Sequence, residues 1–302
     1  MSQLIERFVN SLEAKGILPS TFQQYRNDLL RFERFLSAEY GLRLSEEDAG
    51  EIRGHMLDDY ANRLYQRGLR PSTRNKYIVE LKEFFGYLHT ANFITADPST
   101  VLSCVRKEPI SPDKEQRLYT PEQLKQFLAS ISGKNERCND RRDAAIIALI
   151  IASGGMRASE VCSLNVSDLE QIRSGLLYCR RKGGEWRYIE VAPLAAQYID
   201  RYLEKRPFAA PTEPLFLSTH GRRLDRRTLW KSLAHKQRKA ELATGIHLFR
   251  HMMLSEVEKL GGGAAARDIA GHKQLSTTNR YAHSTREERA QLVRSNAFMD
   301  SL

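Results

Sequence analysis

The chain has 302 residues, 41% of them hydrophobic and 28% charged, enough for two domains that each bury a core. No apolar stretch approaches the roughly 20 residues that cross a bilayer, and the polar start does not read as a signal peptide, so a cytoplasmic protein is expected. A net charge of +10 points to a polyanionic partner, nucleic acid before membrane, because no basic amphipathic helix carries an aromatic-rich apolar face.

Along the chain, residues 1–105 read as a helical module. Leu4, Ile5, Phe8, Val9 and Leu12 recur at helical spacing up to Gly16. Ser20-Thr21 open a second helix with Tyr25, Leu29, Phe32, Phe35 and Leu36, closing near Gly41. A third is expected from about Ala49 to Gly68, and Pro71-Ser72-Thr73 open a fourth carrying Tyr77, Ile78, Leu81, Phe84, Phe85 and Leu88. Four or five such helices without a strand suggest a small bundle.

Residues 106–118 are polar, hold Pro109 and Pro112, and read as a linker. Thr120-Pro121 then cap a helix, and Asp143 to Ile151 form a helix apolar enough to be buried. Leu176–Cys179 and Arg187–Val191 read as short strands joined by a Lys182-Gly183-Gly184-Glu185 turn, and from Leu194 the pattern is helical again. The fold class expected is mainly α: a helical-bundle N-terminal domain, then a mostly α domain over residues 119–302 with a small antiparallel sheet. The charge divides with the domains. Residues 1–106 hold 14 basic and 14 acidic side chains, so the whole basic excess lies beyond them. Cys104, Cys138, Cys162 and Cys179 lack any Cys-x-x-Cys spacing, which fits free thiols rather than a zinc ribbon or disulfide framework.

The second domain concentrates phosphate chemistry. Arg157 lies in Gly154-Gly155-Met156-Arg157-Ala158-Ser159-Glu160, Lys182 in the basic turn after Arg180 and Arg181, and His247 and Arg250 in His247-Leu248-Phe249-Arg250-His251. Gly271-His272 and Tyr281 follow. Guanidinium forks match the non-bridging oxygens of a phosphodiester, a lysine can protonate a leaving oxygen, and a phenol becomes a nucleophile beside cations or a base. Residues three apart on a helix share a face, which pairs His247 with Arg250.

Taken in order, these boxes resemble the tyrosine recombinase (lambda integrase) family, and the length and two-part layout resemble its Xer-like members. The N-terminal Thr21-x-x-x-Tyr25 and Pro71-Ser-Thr-x-Asn75-x-Tyr77 are placed as in the family's core-binding domain. The resemblance implies that Tyr281 is the nucleophile, giving a 3′-phosphotyrosyl link and a free 5′-hydroxyl, with Arg157 and Arg250 as the phosphate clamp. It gives Lys182 the general-acid role, with Arg181 its rival should the register slip by one. His247 serves in proton transfer or phosphate hydrogen bonding, His272 bonds the scissile phosphate, and Glu160 supports. Arg74, Lys76, Arg180 and Arg181 are assigned to DNA. No cofactor, metal or ATP is implied. The partners implied are double-stranded DNA carrying a specific site and a homo-tetramer on two sites, alone or with a second recombinase. The segment Arg286 to Met299 is expected to dock on a neighbouring protomer.

Four departures stand out: Phe249 and Ala270 where leucine is usual, Met252-Met253 in place of a polar pair, and the Gly261-Gly262-Gly263 run. All chemical groups remain. Two rivals are a type IB topoisomerase-like relaxing enzyme and a DNA-binding accessory protein with an inactive site. A metallohydrolase using His247 and His251 is disfavoured, because no glutamate follows His247 as in His-Glu-x-x-His.

Overall fold

The computed structural model describes residues 2–95, 108, 118–132, 136–181, 184–206, 210–270, 291–295 and 298–299. It divides into two compact units, Met1–Glu115 and Gln116–Leu302. Both are mainly helical, and the described residues hold one two-stranded antiparallel sheet, as the sequence pattern implies.

The first unit consists of α1 (Gln3–Ala14), α2 (Pro19–Tyr40), α3 (Gly54–Gln66) and α4 (Pro71–Thr90). Proline at the first position opens α2 and α4, where a missing N–H costs nothing, and Gly41 ends α2 in the left-handed conformation (φ 70°). The third helix starts later than expected. Ala49–Glu51 is a separate 3-10 turn, and Ile52 and Arg53 are extended, which sinks Ile52 into the core before α3 begins. The four helices bury one aromatic-rich core, with Phe8 against Phe84 at 5.4 Å and Phe32 against Tyr60 at 5.0 Å between ring centres.

One buried polar group in this unit carries a pH signature. Glu80 of α4 accepts a hydrogen bond from Gln24 (2.9 Å), and Lys76 lies 2.7 Å from Asp28 and 3.8 Å from Glu80. Burial, reinforced by Asp28, pushes the Glu80 carboxyl up to about 7 from its ordinary 4.5. A folded value above the unfolded one means stability that is full below about 4.5 and lost as pH rises through about 7. The thermal midpoint of the chain is therefore expected to fall between pH 5 and pH 8, and Glu80→Gln to flatten that fall. An equal fall in both proteins would contradict the assignment.

The second unit is built around α6 (Cys138–Ala152), in which every residue from Arg142 to Ala152 is buried. It begins five residues before the expected Asp143, because Asp140 accepts the Arg137 N–H at 2.9 Å and caps an extra turn. Around it pack α5 (Pro121–Ile131), α7 (Ala158–Ser163), α9 (Leu194–Leu203), α10 (Arg226–Lys239) and α11 (Ile246–Ala270), with the short α8 (Leu169–Arg173) beside α9 and the sheet. Thr120 and Gln123 form the reciprocal cap expected at the start of α5. The hairpin of β1 (Leu176–Arg180) and β2 (Trp186–Glu190) buries Leu177, Cys179 and Ile189 on one face. Its other face exposes Tyr178, Trp186 and Tyr188, with Trp186 stacked on Tyr178 and Tyr188 tilted against it.

One polar knot ties α6 to α10. Asp143, fully buried, accepts from Arg142 (2.7 and 2.9 Å), Ser232 (2.5 Å) and Lys236 (2.6 Å). Removing one partner of such a knot strands a buried charge, so it fixes where α10 lies. Cys138, Cys162 and Cys179 are free, and burial pushes the Cys162 and Cys179 thiols up to about 11 and 12, which leaves them unreactive. Cys104 lies outside the described residues.

Candidate active site

The site is assembled by the turn that leaves α6. Gly154 (φ 66°) and Gly155 (φ 99°) adopt conformations open mainly to glycine, and each meets one end of α11. A Cβ on Gly155 would lie 3.0 Å from Arg250 Cγ, and one on Gly154 only 2.4 Å from Ile269 Cγ2. The turn thus brings both ends of α11 beside Arg157, which follows as the cap of α7. Within α11, Gly262 is non-helical (φ 74°, ψ 172°) and kinks the helix at the Gly261–Gly263 run.

Arg157 is held from three directions. Its N–H donates to Glu160 Oε2 (2.8 Å), its Nη1 to Glu160 Oε1 (2.9 Å) and its Nη2 to the Ala270 carbonyl (3.2 Å). Arg250, buried, donates through Nη2 to the same carbonyl (2.9 Å) and through Nη1 to the Gly155 carbonyl. Arg181 donates to it as well, at 2.8 Å. Three guanidinium groups therefore converge on one oxygen at the C-terminal end of α11, where the helix dipole is negative. Burial, then Arg157 and Arg181, bring the Arg250 guanidinium down to about 10, so it stays charged at neutral pH.

A cleft of about 700 Å³ opens over this cluster. Arg157, His247 and Arg250 form one wall; Asp225, Arg226, Arg227 and Trp230 of the α10 end form the other. Desolvation at the wall, then His251 and the nearby arginines, hold His247 below its usual value, so its ring is neutral near pH 7. His251 is exposed and is not among the residues lining this cleft.

The sequence-predicted set divides in the structure. Arg157, Glu160, His247 and Arg250 come together, while Lys182, His272 and Tyr281 lie outside the described residues. Arg180 is exposed at the end of β1. Arg181 is not. Strand alternation carries it inward with Leu177 and Cys179, and its side chain is 8% exposed. Arg74 also turns inward: Glu108 takes its guanidinium from two sides and the Leu69 carbonyl takes the rest. Lys76 is half-exposed but engaged by Asp28 and Glu80. In the tail, the described residues Val293 and Phe298 are buried in the core of the second unit. The sequence reading missed Arg226, Arg227 and Trp230. The signal was the run Arg222-Arg223-Leu224-Asp225-Arg226-Arg227, in which Asp225 caps α10 through the Arg227 and Thr228 N–H groups.

Two family models match the chain: the phage integrase family over residues 117–288 and the phage integrase N-terminal SAM-like domain over residues 5–92. Among its relatives, tyrosine recombinase XerC of Myxococcus xanthus is 30% identical over 309 residues, covering 97% of this chain and 96% of that protein. Tyrosine recombinase XerC of Pelobacter propionicus is 29% identical over 275 residues, covering 89% and 86%. In fold, the chain is similar to a lambda integrase dimer bound to a COC′ core site, with a TM-score of 0.67, 16% identity, and 93% of this chain and 97% of that one covered. With one family model spanning more than half of its length and relatives matched almost end to end, the chain belongs to the phage integrase family, as a Xer-like tyrosine recombinase.

Proposed function

We propose that the chain is a site-specific recombinase that cleaves and rejoins duplex DNA through a 3′-phosphotyrosyl intermediate and a four-way junction, without metal or ATP. The meeting of Arg157, Arg250 and His247 at one open cleft carries the reading, because two guanidinium groups there can take the non-bridging oxygens of a phosphodiester. In this scheme the Tyr281 hydroxyl attacks phosphorus and the bond to the 5′ oxygen breaks. Neutral His247 takes the phenol proton, Lys182 gives a proton to the 5′ oxygen, and His272 bonds a non-bridging oxygen. The phosphotyrosyl ester conserves the bond energy, so a 5′-hydroxyl from a second duplex reverses the step.

Residues 1–105 act as the core-binding domain and residues 119–302 as the catalytic one, joined by 106–118. Double-stranded DNA with a specific site is the partner, and four protomers on two sites carry out exchange in the cytoplasm, alone or with a second recombinase. The Xer relatives support this job over relaxation alone. The reading is tested by incubating the protein with a nicked suicide duplex carrying its site, in EDTA. An SDS-resistant protein–DNA band that Tyr281→Phe abolishes is expected. DNA binding with no band from the wild-type protein would favour an accessory role.

A further inference from the structure

We propose that Arg181 is a positioning residue of the cleavage site, fixing Glu160 and through it Arg157, and is not a surface contact to DNA; this rests on the recombinase reading. Glu160 is almost wholly buried, and its two oxygens are differently engaged. Oε2 accepts the Arg157 N–H, while Oε1 lies between Arg157 Nη1 at 2.9 Å and Arg181 Nε at 3.3 Å. One carboxylate is thus shared by two guanidinium groups. Arg181 also reaches the Ala270 carbonyl at 2.8 Å and the Ile269 carbonyl at 3.4 Å, which anchors its fork at the end of α11.

The charge balance gives this sharing its consequence. Arg157, Arg181 and Arg250 bring three positive charges to one carboxylate. Burial and the neighbouring arginines pull both Arg181 and Arg250 below their ordinary values. Excess buried charge is costly unless an anion answers it, and a phosphodiester between Arg157 and Arg250 answers it. With Arg181 present, Glu160 is divided between two cations and Arg157 keeps net positive charge toward the phosphate. Without Arg181, Glu160 pairs with Arg157 alone and neutralises it. Buried Arg181 Nε, which has no hydrogen-bond partner among the described residues, shows that Glu160 holds it by charge and not by an aligned bond.

The test separates rate from binding. Single-turnover cleavage at saturating duplex, Kd, and the salt dependence of Kd are measured for wild type, Arg181→Gln, Arg181→Lys and Arg180→Ala, with thermal melting to check folding. Arg181→Gln is expected to slow cleavage about tenfold to a hundredfold, as for orienting partners of other charged sites. Its Kd and salt slope stay at wild-type values, and Arg181→Lys recovers part of the rate. Arg180→Ala should instead weaken binding and lower the salt slope by about one. An Arg181→Gln protein that cleaves at the wild-type rate, or that loses affinity and salt slope instead, overturns the assignment. Should Arg181→Gln fail to fold, a folded Arg181→Lys carries the test: a rate below wild type at unchanged Kd and salt slope supports the assignment, and a loss of affinity and salt slope at the wild-type saturated rate overturns it. If wild type forms no covalent product, the recombinase reading falls and this assignment with it.

Discussion

Arg250→Ala is expected to lower strand cleavage at saturating DNA by roughly a hundredfold to a thousandfold, the usual cost of removing one preorganised donor from a transition-state site. The side chain is 8% exposed and clamped between the Gly155 and Ala270 carbonyls, so its fork is already aimed before any phosphate arrives. Lysine keeps the charge but cannot make both bonds from one planar group, which places Arg250→Lys between alanine and wild type. Folding should suffer less than activity. Burial first, then the like charges of Arg157 and Arg181, draw the Arg250 guanidinium down to about 10, so deleting it removes a costly buried charge while Arg157 and Arg181 still cover the Ala270 carbonyl. Measured single-turnover rates beside thermal midpoints check both halves. A rate within tenfold of wild type would remove Arg250 from the clamp.

Gly154→Ala is expected to be the most damaging single methyl in the second unit. The residue has φ 66°, and the added carbon would lie 2.4 Å from Ile269 Cγ2 and 3.3 Å from Val293 Cγ2. The left-handed backbone costs about 1–2 kcal/mol for a residue with a Cβ, and overpacking adds about 1–3 kcal/mol. In a unit of this size that is a fall of about 5–15 °C in the thermal midpoint. Gly221→Ala is the control: φ is 69° but nothing lies within 4 Å of the new carbon, so only the backbone cost remains. Equal shifts for the two variants would show that contact with α11 is not what Gly154 provides. Because Ile269 precedes Ala270, a folded Gly154→Ala protein should also cleave slowly.

Much of this fold can be read from the chain because its helices announce themselves. The apolar spacing of Leu4 to Leu12 and Tyr77 to Leu88 gives α1 and α4, and a run apolar on all sides gives α6. The hairpin follows from two short apolar runs around paired glycines. The break at Ile52 was hidden, because an extended residue that fills a core looks like any apolar helical position. Charges were the harder part. Arg74 sits in a motif that suggests DNA, yet its partner Glu108 lies 34 positions away and only folding brings them together. Arg181 reads as one of three adjacent cations; its inward parity is visible only once the strand is fixed to start at Leu176. Arg226, Arg227 and Trp230 read as an ordinary basic surface, because nothing local says that the Asp143 knot holds α10 across the cleft.

The most direct measurement is to identify the residue that carries DNA. The trapped complex is digested with protease and nuclease, and the modified peptide is sequenced by mass spectrometry. A nucleotide 3′-phosphate esterified to the phenol oxygen of Tyr281 is expected, within the peptide that follows Gly271-His272. A nucleotide attached to any other side chain, or linked through its 5′ phosphate, would contradict it.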